Sequence, residues 1–333
     1  MRIIKEGITM PKISEDVKEL RRLWGGFWSS RVMLTANNLR IFDNLTRPKT
    51  AEELANEIGT DKRATEILMD ALTGLGLLKK TSNRYRNTGI ASKFLISGKP
   101  YYQGDILRHA DTLWENWSGL DEVVKTGNPH HKAHNHDAFI MGMHNLAVLK
   151  VKDVLNAVNL RGVKTALDLG GGPGTYTIEM AKRGISVTLF DRPETIRIAR
   201  DIIKNSAVKN INFIQGDFLS DDIGKGYDLV FISQVLHSNS GADNINVLKK
   251  SRGALDPHGR VAIQEFHLDE DRAHPAQAAL FSINMLVNTE SGRCYSLKEI
   301  KGWLLKTGFK DIKMKSLDDT ILIQGTKSWD LSS

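Results

Sequence analysis

From Thr165 onward, short runs of apolar residues alternate with longer stretches in which apolar residues recur every three or four positions. The runs are Thr165–Leu169, Ser186–Phe190, Ile211–Gln215, Asp228–Ser233 and Arg260–Glu265, and 175–183, 193–205 and 243–255 are the helical stretches between them. Strands that are apolar throughout and joined by helices predict a parallel sheet covered on both faces. A helix at Ser296–Lys306 follows, and then two runs, Asp311–Lys315 and Thr320–Gly325, close enough in sequence to be antiparallel neighbours.

The first hundred residues carry a different pattern. Thr50-Ala51-Glu52-Glu53 reads as a capping box ahead of a helix ended by Gly59. Asp61 can cap a second helix with the apolar stripe Ala64, Ile67, Leu68, Ala71 and Leu72, which leaves Lys62, Arg63, Glu66, Met69, Asp70 and Thr73 on the exposed face. Leu77–Lys80, a turn at Thr81-Ser82-Asn83, and Arg84–Thr88 complete a helix, helix and hairpin module of the winged-helix kind. Upstream, residues 15–45 form a helical pattern with Leu20, Leu23, Trp24, Phe27, Trp28, Leu34, Ile41 and Phe42 among its apolar groups. Too many for a solvated helix, they are expected to pack on the winged unit or on a second subunit. Residues 101–160 read as a helical connector containing Trp114, Trp117, Phe139 and Met143.

A length of 333 residues suits about two domains, and 41% apolar with 26% charged residues is ordinary for a folded protein. No run nears the ~18 apolar residues of a membrane helix, and Met1-Arg2-Ile3-Ile4-Lys5-Glu6 lacks the apolar core of a signal peptide. One cysteine, Cys294, excludes an internal disulfide and a thiolate metal cluster. A cytoplasmic protein is therefore expected, without membrane insertion. The charge is uneven: residues 1–100 hold 18 Lys and Arg against 11 Asp and Glu, and the remainder holds 28 of each. Such a surplus can mark a nucleic-acid-binding arm, but two carboxylates on the exposed face of the second helix would meet phosphates with the wrong sign. Packing or dimerisation is the preferred role for this module.

The segment Ala166-Leu167-Asp168-Leu169-Gly170-Gly171-Gly172-Pro173-Gly174 takes a buried strand into a glycine loop and then a helix, as a ligand approaching the backbone requires. Its spacing is D-x-G-x-G-x-G rather than the G-x-G-x-x-G of a dinucleotide site. Asp191, 21 positions after Gly170, ends the next strand and can accept hydrogen bonds from ribose hydroxyls. Asp217, in Gly216-Asp217-Phe218, suits an adenine amino group with Phe218 against the ring.

These motifs, with Phe190-Asp191-Arg192-Pro193, Leu236-His237 and Ala254-Leu255-Asp256-Pro257-His258-Gly259-Arg260, make the chain similar to the S-adenosylmethionine-dependent O-methyltransferases. Within them it resembles the group of plant small-molecule O-methyltransferases, acetylserotonin O-methyltransferase and the bacterial hydroxyneurosporene-type enzymes. The likeness covers nearly the whole chain. It implies a class I methyltransferase fold, an α/β Rossmann-like, mostly parallel seven-stranded sheet with a final antiparallel strand, behind an N-terminal all-helical winged-helix dimerisation domain. The implied division is 1–100 dimerisation, 101–160 helical connector contributing to the substrate pocket, and 161–333 methyltransferase, with the chain an intertwined homodimer.

The same resemblance implies S-adenosyl-L-methionine as cofactor, held by Asp168, Gly170, Gly172, Gly174, Asp191, Arg192, Asp217, Phe218 and Ser233. It makes His237 the general base, acting on a hydroxyl of a small aromatic, polyene or quinone-like acceptor. Of the two glutamates that hold this imidazole in plant members, Glu265 matches one and Cys294 stands in place of the other, while Ser238-Asn239 replaces an Asp-Trp. A thiol cannot orient an imidazole as a carboxylate does unless its own pKa is depressed, so a more acidic acceptor, or transfer to carbon or nitrogen, is an alternative. A DNA-binding regulator that uses the fold as a ligand sensor is a further one. By family position Phe139 and Met143 flank the acceptor, and Asn284, Met285 and Asn288 line its other side. The run His130-His131-Lys132-Ala133-His134-Asn135-His136 invites a metal, but a solvated loop by the pocket mouth is preferred, and no metal is expected.

Overall fold

A computed structural model describes residues 14–328; the opening segment Met1–Glu6 lies outside them. The chain divides into two units, Met1–Tyr102 and Gln103–Ser333. Among the described residues no helix is long and apolar enough to cross a membrane.

The first unit runs α1 (Glu15–Asn38), α2 (Ile41–Asn44), α3 (Ala51–Ile58), α4 (Lys62–Gly74), β1 (Leu78–Thr81), β2 (Arg84–Asn87) and α5 (Gly89–Phe94). Thr50 Oγ1 accepts the Glu53 N–H at 3.2 Å and the Thr50 N–H donates to Glu53 Oε2 at 2.7 Å, which closes the capping box at the start of α3. Asp61 accepts the Ala64 N–H and caps α4. Ser82 and Asn83 both take positive φ, so the two strands are joined by a tight turn whose twist matches theirs. Apart from this hairpin and a bridge from Lys49 to Tyr85, the regular structure among the unit's described residues is helical.

The second helix is rotated from its expected setting. Its buried residues are Thr65, Met69 and Leu72, spaced i, i+4 and i+7. Met69, expected outside, is sealed, and Ile67, expected inside, is 54% exposed. A polar Thr65 is accommodated because its hydroxyl bonds that of Thr60 at 2.7 Å, which lets the stripe shift by one position. The apolar groups of α1 divide as well: Leu34 is buried with Ile41 and Phe42 of α2, whereas Leu20, Leu23, Trp24, Phe27 and Trp28 are exposed on this chain. Several basic side chains are nevertheless paired inside the unit. Arg84 forms a two-pronged pair with Glu53, Lys80 and the Tyr85 hydroxyl share Asp70, and Lys62 meets Glu52.

In the second unit, α6 (Gly104–Trp117), α7 (Leu120–Thr126) and α8 (His136–Ala157) precede β3 (Thr165–Leu169), α9 (Thr175–Lys182), β4 (Ser186–Asp191), α10 (Pro193–Lys204), β5 (Ile211–Gln215) and β6 (Tyr227–Ser233). Then come α11 (Gly241–Ala254), β7 (Leu255–Glu265), β8 (His267–Leu268), α12 (Ala276–Asn288), β9 (Tyr295–Ser296), α13 (Leu297–Lys306), β10 (Phe309–Ser316) and β11 (Ile321–Lys327). The seven-stranded sheet has the order β10-β11-β7-β6-β3-β4-β5. β11 is antiparallel to both its neighbours and the remaining pairs are parallel. β7 begins at Leu255, earlier than its apolar run, because Leu255 pairs with Tyr227 across a register shift before Leu229 meets Arg260.

Alternate residues of the central strands supply two cores, as the pleat requires. Leu167, Leu169, Val230, Ile232, Val261 and Ile263 pack with Val247, Leu248, Ile300 and Leu304 of α11 and α13. Ala166, Leu229, Phe231 and Ala262 pack on the other face with Val151, Val154, Leu155, Tyr176 and Met180 of α8 and α9. The chain turns from β3 toward β4 on one side and returns to β6 on the other, and ligands of such sheets bind beyond the carboxyl ends at that divide. The glycine loop, Asp191, Asp217, His237 and Glu265 all lie at or just past the carboxyl ends of β3 to β7.

The rotated setting of α4 has a direct check. Met69→Ala is expected to cost about 2–5 kcal/mol of unfolding free energy and Met69→Leu under about 1.5 kcal/mol, read by urea denaturation; a neutral Met69→Ala would restore the exposed placement.

Candidate active site

The glycine loop is shaped by close approach at both ends and by open space in its middle. Gly170, Gly172 and Gly174 have φ of +67°, +54° and +76°. A Cβ at Gly170 would stand 2.7 Å from Val235 Cγ2 and one at Gly174 2.9 Å from Ile203 Cδ1, but one at Gly172 would meet nothing within 4 Å. The Gly170 and Gly171 N–H groups donate to the Phe190 carbonyl, and the Gly172 N–H donates to Asp191 Oδ2 at 2.8 Å. Asp191 is thereby fixed against the loop, and its other oxygen accepts the Arg192 N–H at 2.8 Å. The Arg192 side chain is exposed.

Asp168 is buried beneath this loop, where Oδ2 accepts the Thr177 hydroxyl at 2.6 Å. Burial pushes its carboxyl up to about 7, against the Thr177 hydrogen bond, and burial raises Asp191 as well. Two desolvated carboxyls beside an open glycine backbone suit a ligand that brings positive charge and hydroxyl donors. The Gly216 N–H donates to the Asp191 carbonyl at 3.1 Å, which brings the next strand end alongside. There Asp217 Oδ1 accepts the Leu219 N–H at 2.9 Å, and Phe218 lies with its ring edge 3.8 Å from where a Gly170 Cβ would be. Ser233 turns to Gln264, whose Oε1 accepts the Ser233 and Tyr176 hydroxyls at 2.7 and 2.9 Å. Gln264 is sealed and completes the set by donating to Thr320 Oγ1.

His237 sits in a 3-10 turn, Leu236–Ser238, just after β6. Asn244 Nδ2 donates to the Leu236 carbonyl at 2.9 Å and Asn239 Nδ2 to that of Val235 at 3.2 Å, so the turn is held by side chains. Gly292 presses on it from outside: a Cβ there would fall 2.4 Å from the His237 carbonyl oxygen. Glu265, the last residue of β7, has no exposed surface. Its Oε1 lies 2.7 Å from His237 Nδ1 and accepts the Phe266 N–H at 2.9 Å, while Oε2 accepts the His237 N–H at 3.3 Å. Phe281 stands edge-on to the imidazole with centroids 4.9 Å apart, and Phe266 lies 6.0 Å away. Cys294 is buried, with its N–H donating to Ser282 Oγ at 3.1 Å. Burial pushes its thiol up to about 11, so it is uncharged at neutral pH. Ser238 is exposed.

α8 is tied to both helices that follow the loops after β3 and β4. His144 Nδ1 pairs with Thr175 Oγ1 at 2.8 Å, at the first residue of α9, and His136 Nε2 with Thr195 Oγ1 at 3.2 Å, in the first turn of α10. Phe139 and Met143, at i+3 and i+7 from His136, lie between these ties on one face and are half-buried. On the other side, α12 carries Phe281 at its His237 end and two amides farther along. Asn284 Oδ1 accepts Trp117 Nε1–H at 2.9 Å, and Asn288 Oδ1 accepts Asn116 Nδ2–H at 2.8 Å. Met285 is buried. Both amides thus fasten α12 to α6. The histidines of 130–136 disperse: the His130 N–H donates to the Val287 carbonyl, and His136 turns to Thr195. Among the described residues no cluster of three or more His, Cys, Asp or Glu could hold a metal ion.

Gln264, Gly292, Thr177 and His144 were not singled out from the sequence. Gln264 adjoins Glu265 and Gly292 lies two positions before Cys294, but only the folded contacts show what they do.

Comparison with known proteins agrees with this geometry. The O-methyltransferase domain profile matches residues 104–310 and the O-methyltransferase dimerisation domain profile matches residues 22–97. The chain is 31% identical to 3-hydroxy-5-methyl-1-naphthoate 3-O-methyltransferase of Streptomyces sahachiroi, over 86% of its length and 88% of that protein's. It is 30% identical to acetylserotonin O-methyltransferase of Gallus gallus, over 87% of its length and 91% of that protein's. The human N-acetylserotonin methyltransferase, solved in complex with its methyl donor, superposes with a TM-score of 0.88 at 25% identity, covering 96% of this chain and all of the other. The chain belongs to the O-methyltransferase family. It is an S-adenosylmethionine-dependent enzyme acting on small molecules.

The burial of Asp168 fixes a pH dependence for the ligand-free protein. A carboxyl raised from 3.8 to about 7 contributes stability that is fully present below about pH 4 and lost as pH rises through 7. Asparagine does not titrate. Between pH 5 and pH 8 the stability of Asp168→Asn relative to wild type is therefore expected to improve by about 2–3 kcal/mol, measured by urea unfolding at each pH; an unchanged difference would mean that Asp168 is ionised throughout.

Proposed function

We propose that this enzyme methylates a hydroxyl of a small aromatic, polyene or quinone-like acceptor, with His237 as general base and Glu265 as the group that orients it. The carrying observation is the 2.7 Å bond from His237 Nδ1–H to a sealed carboxylate. A carboxylate only accepts, so the proton sits on Nδ1 and the Nε2 lone pair is the one left for a substrate. The chemistry that S-adenosylmethionine supplies when bound is an activated methyl group on a cationic sulfur. This chain's own part is to hold the donor, align the acceptor oxygen and take its proton at Nε2, after which the imidazolium is stabilised by Glu265. Among acceptors we favour a fused-ring phenol. Support comes from the walls of Phe266, Phe281 and Phe139 and from two similar proteins whose names specify such substrates, the naphthoate 3-O-methyltransferase and the tetracenomycin 8-O-methyl transferase of Streptomyces glaucescens.

On the same reading, Asp168, Gly170, Gly172 and Gly174 shape the cofactor seat, Asp191 takes the ribose hydroxyls, Asp217 and Phe218 the adenine, and Arg192 and Ser233 border it. Phe139, Met143 and Met285 contact the acceptor, while Asn284 and Asn288 set the spacing of its walls. Residues 1–100 form the dimerisation domain, 101–160 the helical connector and 161–333 the catalytic domain. The exposed Leu20, Leu23, Trp24, Phe27 and Trp28 support a homodimer, with a cytoplasmic location as part of the same reading. A nucleic-acid partner is disfavoured by the ion pairs of Lys62, Lys80 and Arg84.

Base catalysis is separated from alignment by His237→Ala. Calorimetric affinity for S-adenosylmethionine should stay nearly unchanged while turnover falls about 10²–10⁴-fold, and the fall should shrink for an acceptor already ionised at the assay pH. Equal losses on neutral and ionised acceptors would make His237 a positioning residue.

A further inference from the structure

His109 lies outside the His237–Glu265 pair and has no place in the site as described so far. It is on α6, half-buried, with its ring centroid 5.1 Å from that of Phe139 on α8. Neither ring nitrogen has a hydrogen-bond partner among the described residues. Among the described residues the buried polar atoms left without a partner are Asn87 Oδ1, His130 Nε2 and Arg260 Nε, so the nitrogens of His109 are not sealed in but open onto accessible space. Burial, with the nearby His134 adding to it, lowers this imidazole to about 4. The ring is neutral at physiological pH and offers one N–H and one lone pair.

An unspent donor and acceptor against an aromatic face is complementary to a flat molecule that carries a polar substituent. The apolar part can lie on Phe139 while the substituent bonds the imidazole. A neutral ring brings no charge for a carboxylate or an ammonium group, and a carbonyl or hydroxyl is the matching partner. On the reading above, His237 takes the hydroxyl that is methylated, so a substituent bonded to His109 is a different one.

We propose that His109 is a specificity-determining residue, whose imidazole hydrogen-bonds a carbonyl or hydroxyl of the acceptor other than the one that is methylated. This rests on the assignment of Phe139 to the acceptor wall and on the fused-ring phenol favoured above. A site built to bond a substrate group discriminates against the analogue that lacks it, since its own polar atoms are then desolvated without a partner.

The test is steady-state kinetics of the full-length enzyme with 2-naphthol and with 6-acetyl-2-naphthol, using wild type, His109→Leu, His109→Phe and His109→Gln. For the acetylated acceptor, His109→Leu and His109→Phe are expected to raise KM about tenfold or more with kcat little changed. For 2-naphthol, KM should stay within about twofold, and His109→Gln should recover most of the discrimination. His109→Phe keeps a ring against Phe139 and so carries the test if the leucine variant does not fold. Equal changes on both acceptors, or none on either, would overturn the role of His109 and leave the acceptor class standing. A wild-type enzyme that methylates neither naphthol while binding S-adenosylmethionine would overturn the fused-ring reading, and the role of His109 with it.

Discussion

Glu265 is a carboxylate without exposed surface at the end of a central strand, and the arrangement of the catalytic end follows from what it needs. A buried carboxylate is tolerated only where donors replace its water. Here they are the His237 imidazole, the His237 main-chain N–H and the Phe266 N–H. Two of the three come from the turn after β6, so β6 and β7 must be adjacent and parallel, and the turn must stay closed. Asn239, Asn244 and Gly292 each serve that closure. With Cys294 neutral, Glu265 is the single carboxylate bonded to the imidazole, and the direction in which His237 can accept a proton depends on it.

The cofactor side depends on the same sheet by a different device. Desolvated Asp168 and Asp191 lie beside a loop whose N–H groups are already engaged with Phe190 and Asp191. The loop is thus rigid before any ligand arrives, and its unmet requirement is positive charge. On the proposed reading, α8 couples this seat to the acceptor wall, since Phe139 and Met143 are spaced between the contacts of His136 and His144 to the starts of α10 and α9. α12 performs the corresponding service opposite, from Phe281 at His237 to Asn284 and Asn288 on α6. The distance between the walls is set by hydrogen bonds rather than by loops alone.

Much of this was legible in the chain because its signals are local. Thr165–Leu169 and Ile211–Gln215 are apolar runs with clear ends, and the structure gives them those bounds; the Thr50–Glu53 box and the Asp61 cap are likewise short-range devices. What was not legible depends on partners far along the chain. Whether Ile67 or Met69 faces inward turns on a hydroxyl pair between Thr60 and Thr65, which a hydrophobic stripe does not register. Gln264 and Gly292 look like ordinary neighbours of Glu265 and Cys294 until β6 and the turn at His237 are packed against them. Asn288 is placed beside the acceptor by family position alone, and its bond to Asn116 on α6 is visible only in the folded chain. In the histidine run, only the His136 ring is turned to a side chain of another helix, Thr195 on α10, a partner that spacing along the chain does not register.

The central claim is that Glu265 fixes the proton of His237 on Nδ1 and leaves Nε2 free. It is tested most directly by nitrogen NMR of the histidine-labelled enzyme at pH 8, with the His237 ring identified by its loss in His237→Ala. The account predicts a proton-bearing Nδ1 and an unprotonated Nε2, with that preference lost in Glu265→Leu. A proton on Nε2 in the wild-type enzyme would contradict it, because the nitrogen facing the acceptor could then donate but not accept.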